Sequence, residues 1–403
     1  LDRRGAALDA SGTFWQDADS LRLNLDHLDA SATPDGLGAL VPRIPAALQA
    51  RLAPELRLDL DATTVALPRG TPGALRISTR GTAVQGRERL DVQALLLDRR
   101  PDGTLRWDAR LAAADLALTR WLPDRPETVL TGQVATHGEA SPNGRAGVKT
   151  GRWTLRTADL SARLGPGLLA GRRLDSLRLD LAVRGPDVRS RGRLAPSGAG
   201  SASFDLAGRP ATAPSLPHAV KGRLAFDRFD AGALALRDGF STQITGTADV
   251  DVAGRTARDL VGQLALDVRT AEVTRGRDRL VLHDVRLTTR RTASGSAGDF
   301  LNSLVGESSG TVGDLLAVWN GQTYTTGGVR LDARRDLSGT SLLDLALARA
   351  TLPGQGGAFD LHQMTASFRH EASGAVVLGA ATPQGRVDLR GNADVAALRA
   401  LAD

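Results

Sequence analysis

The chain has 403 residues, with 51 Lys and Arg against 45 Asp and Glu, a net charge of +6 and no cysteine, which excludes disulfides, thiolate metal sites and thiol nucleophiles. Lysine occurs only at Lys149 and Lys221, and the arginines that supply the remaining charge alternate with acids, as in Arg57-Leu58-Asp59-Leu60-Asp61. Aromatic residues are only 3%, and a nucleic-acid binder would concentrate its basic charge and interleave aromatics, so no nucleic-acid partner is read here.

Strands are read along nearly the whole chain from apolar and polar residues that alternate. In chain order the clearest stripes are Leu56, Leu58 and Leu60; Leu177, Leu179, Leu181 and Val183; Leu224 and Phe226; Leu264, Leu266 and Val268; Val329 and Leu331; and Val387 and Leu389. Arg, Asp, Thr and Ser stand between them, as on the wet side of an antiparallel sheet. A glycine-led phrase recurs at Gly103-Thr104-Leu105, Gly151-Arg152-Trp153, Gly222-Arg223-Leu224, Gly246-Thr247-Ala248, Gly262-Gln263-Leu264 and Gly385-Arg386-Val387, and reads as a turn glycine followed by a strand. Pro101-Asp102-Gly103 and Gly185-Pro186 read as turns, the first joining a hairpin.

A few stretches depart from the pattern. Residues 38–52 suggest an interrupted helix, residues 110–122 a strand running into a helical turn, 299–320 a helical insert, and 394–401 a terminal helix. Residues 199–217 and 293–298 read as loops, the first a weak subdivision of an otherwise single elongated β-rich segment. The glycine phrase recurs at irregular spacing and asparagine is scarce, which argues against a regular β-helix.

No constellation of reactive groups stands out. His362 and His370 share strand parity around Met364 but lack a third ligand, and His27, His137, His218 and His283 show no metal spacing, so no metal is read. Gly354-Gln355-Gly356-Gly357 lacks the Lys-Ser/Thr of a phosphate loop. The many acids alternate with arginine and give no glycosidase pair; no catalytic residue and no cofactor are read. The tryptophans (Trp15, Trp107, Trp121, Trp153 and Trp319) read as packing at sheet ends or against the short helices.

Strand phrases are followed by Asp-containing apolar runs at Leu23-Asn24-Leu25-Asp26-His27-Leu28-Asp29, at 111–123 and at 224–234. The last two lead into Leu130-Thr131-Gly132 and Ile244-Thr245-Gly246, and a similar Leu-Val-Leu-x-x-Val-Arg-Leu run begins at Leu280. This cadence resembles the TamB and AsmA-like proteins of bacterial envelopes. The resemblance implies a mainly β chain: an elongated antiparallel sheet curled into a β-taco, a groove with an apolar interior, with a few short helices. It implies a non-enzymatic hydrophobic conduit in the periplasm that moves phospholipid between inner and outer membranes or assists outer-membrane protein assembly. The partners implied are phospholipid acyl chains and an outer-membrane β-barrel met through other regions of a parent anchored in the inner membrane. The stripe residues above would line the groove. A closed β-rich structural or adhesive envelope protein with no lipid groove remains the alternative, because the same aliphatic residues suit a sealed core. At roughly 12 to 14 residues per strand and turn, about 30 strands are expected, on the order of 140 Å as one sheet.

Overall fold

The computed structural model describes residues 6–16, 20–32, 56–68, 71, 74–118, 127–142, 153–210, 218–232, 240–254, 261–294, 304–336, 340–354, 357–371 and 373–392. They form two compact units, residues 1–197 and 198–403. The first holds β1 (Ala6–Gln16), β2 (Ser20–Ala32), β3 (Leu56–Pro68), β4 (Leu75–Gln85), β5 (Glu88–Arg99), β6 (Leu105–Ala117), β7 (Val129–Pro142), β8 (Trp153–Leu164), β9 (Gly167–Leu169), β10 (Arg172–Arg184) and β11 (Asp187–Pro196). The second holds β12 (Ser201–Arg209), β13 (His218–Phe229), β14 (Phe240–Gly254), β15 (Val261–Arg275), β16 (Asp278–Ser294), β17 (Leu304–Trp319), β18 (Gln322–Arg335), β19 (Ser341–Gly354), β20 (Gly357–His370), β21 (Ala375–Thr382) and β22 (Gly385–Asn392).

Each unit is an antiparallel meander. In the first, β1 to β8 pair in sequence and β8 pairs with β10, which pairs with β11; the short β9 lies against β7 and β10. In the second, β12 to β22 pair in chain order. The chemistry of the turns is local. At Pro101-Asp102-Gly103, Asp102 Oδ1 accepts the Thr104 N–H at 2.8 Å and Gly103 takes φ 83°, as the hairpin reading requires.

Two groups of sequence readings are corrected. Among the described residues no helix is present, and the helical insert at 299–320 is strand β17 from Leu304 onward. The loop at 199–217 contains β12, and β16 runs to Ser294 inside the second loop reading. Residues 110–117 are strand, as read; the expected helices at 38–52 and 394–401 and most of the turn after Leu118 lie outside the described residues. The phrase glycines are mostly not turns. Only Gly103 sits in one, and Gly385 opens β22, whereas Gly222, Gly246 and Gly262 lie inside strands and Gly151 is outside the described residues. At Gly222 (φ 154°) a Cβ would overlap the Asp205 carbonyl oxygen of the neighbouring strand, and at Gly262 (φ 130°) that of Asp251. Glycine is needed there for close approach of two backbones.

The strands run up to 17 residues, longer than the alternating runs visible in the sequence, because most of the long strands change phase partway; β14, which alternates throughout, does not. In β16 the residues of one face are Leu280, Leu282, Val285 and Leu287: the spacing is two, three, two. The added residue, Asp284, stands level with the unpaired Arg269 of β15, so both strands bulge at one place and the register is kept. In the second unit these irregularities align from strand to strand at Arg228, Thr245, Arg269, Asp284, Gly313, Gly328, Ala348 and Gln363, forming one crease across β13 to β20. Positive φ marks it at Arg228 (46°), Asp284 (52°) and Gln363 (51°). In the first unit a shorter crease runs through Asp26, Ala62, Arg80 and Gln93, with a separate bulge at Asp115.

The crease accounts for the paired phrases. The Asp-containing runs are bulges, and the Leu/Ile-Thr-Gly run that follows supplies a hydroxyl to the backbone group the bulge frees. The Arg228 N–H donates to Thr245 Oγ1 at 3.1 Å, and the Asp115 N–H to Thr131 Oγ1 at 3.0 Å.

Candidate functional site

Antiparallel Cα partners point to the same side of a sheet, so register fixes which residues share a face. In the second unit one row runs Phe204, Leu224, Ala248, Leu266, Leu287, Gly310, Leu331, Leu345, Ala366, Ala380 and Val387. All eleven strands contribute an apolar residue or glycine, which makes a strip about 48 Å long at about 4.8 Å per strand. In the first unit the corresponding row is Ala30, Leu58, Ala83, Leu90, Ala113, Gly132, Leu164, Leu177 and Leu194, again without a polar residue. One residue along, the second unit's row is Asp205, Arg223, Asp249, Ala265, Thr288, Ser309, Asp332, Asp344, Ser367, Gly379 and Asp388. Each sheet thus has one aliphatic and one polar side. The creases keep it so, because the added residue restores the apolar side after every bend.

The aliphatic sides are only half covered. Most stripe leucines and valines are half-buried, and Val387 and Leu389 are 58% and 60% exposed. Among the described residues no side chain is fully buried, and the well-buried apolar ones are mainly alanines, with Leu174, Phe229 and Val376 the larger exceptions. A two-layer core would bury its large residues instead. Trp107 lies on the aliphatic side of the first unit. Its ring crosses Gly138, where a Cβ would overlap it, and its Nε1–H donates to Thr136 Oγ1 at 3.2 Å.

The polar sides carry cross-strand ion pairs. Lys221 meets its direct partner Asp251 at 2.9 Å, and Arg106 meets Glu139 at 2.6 Å. Asp251 holds the Lys221 ammonium above its ordinary range through this bond. Such pairs are exposed and screened by water, so each contributes little to stability. Two clusters on this side have chemical potential. His27 faces Asp61 beside Asp59, the three within reach of one cation, though His27 is only half-buried and both aspartates are exposed. His137 Nε2 lies 2.8 Å from Asp159, but Arg184 also donates to both oxygens of that carboxylate at 2.7 and 2.8 Å. That arginine is the main reason the Asp159 carboxyl lies below its ordinary range. Nearby Ser161 donates to Asp180 at 2.8 Å rather than to the histidine, so no nucleophile–base pair forms here.

Every candidate groove residue whose side chain is described falls on the aliphatic side of its own unit. Leu58, Leu60, Leu177, Leu179, Leu181 and Val183 share the first unit's apolar face by register, and the side chain of Leu56, the first residue of β3, lies outside the described residues. Leu224, Phe226, Leu264, Leu266, Val268, Val329, Leu331, Val387 and Leu389 share the second's. His362 and His370, expected on one face, lie on opposite faces, because the bulge at Gln363 changes phase between them: His362 pairs with Arg349, whereas Met364 pairs with Leu347 and His370 with Ser341. Residues that sequence reading missed include Phe204, Leu287, Leu345 and Ala366, which complete the row. For Leu287, Leu345 and Ala366 the signal was the spacing of two and three that a strictly alternating template rejects; Phe204 stands in the regular alternation of β12. Compared with known proteins, the chain matches no protein-family model, no curated protein and no solved structure.

Proposed function

We propose that this chain is a non-enzymatic conduit for acyl chains, which ride on the aliphatic side of its sheets. The observation that carries the reading is the apolar row unbroken across all eleven strands of the second unit, with large side chains half-buried and none fully buried among the described residues. An acyl chain laid on such a strip gains roughly 0.8 kcal/mol per methylene removed from water. Neighbouring positions along the row are chemically alike, so a tail moves between them against small barriers. The aligned bulges support a trough, since a bulge bends its strand, and bends at one level in successive strands fold a sheet along a line. The resemblance to TamB and AsmA-like envelope proteins supports phospholipid as the cargo, passage between inner and outer membranes or help to outer-membrane assembly as the role, and the periplasm as the place.

Mass spectrometry of solvent-extracted purified chain tests this: diacyl phospholipid should co-purify. Its absence, together with failure of the chain to take up labelled phospholipid from vesicles, would favour a sealed structural β-protein.

A further inference from the structure

The aliphatic side of the second unit changes character at one end of β16 to β20. The last row there reads Arg291, Gly306, Arg335, Ser341 and His370, all on the apolar face by register. Arg291, Arg335 and His370 are half-buried, whereas the neighbouring Arg290 and Arg334 on the other face are exposed. Two residues further in along the strands, about 7 Å away, the row becomes Thr289, Ser308, Ala333, Leu343, Phe368 and Leu378. Ser308 Oγ donates to Thr289 Oγ1 at 3.1 Å. Two residues further still lies the wholly apolar row through Leu287, Leu331 and Leu345. Along the strands the face therefore grades from cationic to hydroxyl and aromatic to purely aliphatic.

We propose that this end of the face is a headgroup station that holds the phosphate of an anionic acyl lipid while the tails lie on Leu343, Phe368 and the apolar row beyond. The inference rests on the conduit reading and adds a fixed site with a charge preference. Arg291 and Arg335 stand two strands apart, about 10 Å, a span that two extended guanidinium side chains close around one phosphate. Gly306 between them has no side chain to fill the gap. A hollow of about 170 Å³ opens at this place, lined by Arg291, Gly306, Ser308, Arg335, Phe368 and His370 among others. Two adjacent carboxylates are engaged elsewhere: Glu307, on the polar face, meets Arg334 at 3.7 Å, and Glu371 meets Arg369 at 3.2 Å. Asp336 lies in the turn after β18. A guanidinium carries five N–H donors, so one already bonded within the protein keeps others for a phosphate. The bland alternative is a polar sheet margin that merely faces water. It explains charge at the strand ends but gives no preference among amphiphiles of equal chain length.

Calorimetric titration of the full chain below micelle concentration separates the two, with dodecyl phosphate, dodecyl maltoside and inorganic phosphate as probes. Dodecyl phosphate should bind about tenfold more tightly than the maltoside, a difference of about 1.4 kcal/mol, and inorganic phosphate far more weakly than either. Arg291→Gln with Arg335→Gln should abolish the tenfold preference and leave the maltoside unchanged; Arg335→Gln alone should remove part of it. Arg286→Gln with Arg330→Gln makes the same change in net charge on the opposite face, and should leave the preference intact. Equal binding of both amphiphiles by the parent overturns the headgroup station and leaves the conduit standing. A preference lost equally in the opposite-face variant, or inorganic phosphate binding as tightly as dodecyl phosphate, also overturns it. Failure of both amphiphiles to bind removes the conduit and the station together.

Discussion

Deleting Gln363 tests whether the crease is what keeps the aliphatic side continuous. This residue is the extra one in β20, at φ 51°, between Leu361 and Met364, both of which face the apolar side. Without it, the remainder of the strand changes phase. Met364, Ala366 and Phe368 turn to the polar side, and Thr365, Ser367 and Arg369 take their places opposite Leu347, Leu345 and Leu343. Half-burial of Met or Phe is worth about 1 kcal/mol each, and of alanine a few tenths. The exchange also puts an arginine among leucines, so the loss comes to about 3 kcal/mol. Gln363→Gly keeps the bulge and relieves a left-handed backbone conformation, and should be neutral or stabilising by up to about 1 kcal/mol. Urea unfolding measures both, and hydrogen exchange in β20 locates the effect. A deletion variant within about 0.5 kcal/mol of the parent would show that the phase change carries no burial.

Other consequences follow from single contacts. Gly138→Val should displace the Trp107 ring and cost about 1–3 kcal/mol by overpacking, read as a shift in tryptophan emission and a lower urea midpoint. Leu266→Asp should fold with a loss of about 1–2 kcal/mol, because a half-buried position leaves the carboxylate in water, yet cut phospholipid uptake at least tenfold; unfolding outright would indicate a sealed core. Asp230 is partly desolvated, which raises its pKa, but the backbone N–H and hydroxyl of Thr242, the Gly232 N–H and the Ser241 hydroxyl outweigh this and hold the carboxyl below its ordinary range. A depressed folded pKa gives stability that is full above about pH 4 and lost as pH falls through the folded value. Asp230→Asn should therefore cost about 1–2 kcal/mol at neutral pH and flatten the acid limb of a melting-temperature profile; an unchanged profile would assign that limb to other carboxylates.

Alternation made the strands legible, and it placed all the stripe residues on one side of each unit. What it could not carry was the change of phase within a strand. Val312, Leu315, Leu316 and Trp319 recur at three, four and seven residues, which is helical spacing, yet they lie in β17, where the step of three from Val312 to Leu315 spans the crease at Gly313. The same step separates His362 from His370 by face. Glycines inside strands looked like turns because both uses remove a side chain, one for positive φ and one for the approach of a neighbouring backbone. The cationic row at Arg291, Arg335 and His370 was invisible for a different reason. Its members are 44 and 35 residues apart in sequence, and only pairing through β17 and β19 aligns them.

Site-specific photo-crosslinking on β18 with radiolabelled phospholipid tests the conduit most directly. A benzophenone side chain at Leu331 stands in the apolar row, and at Arg330 it stands one residue away on the polar side. Lipid should be captured at 331 and not at 330. Equal capture at both positions, or none at 331 while the chain remains folded, would contradict the conduit.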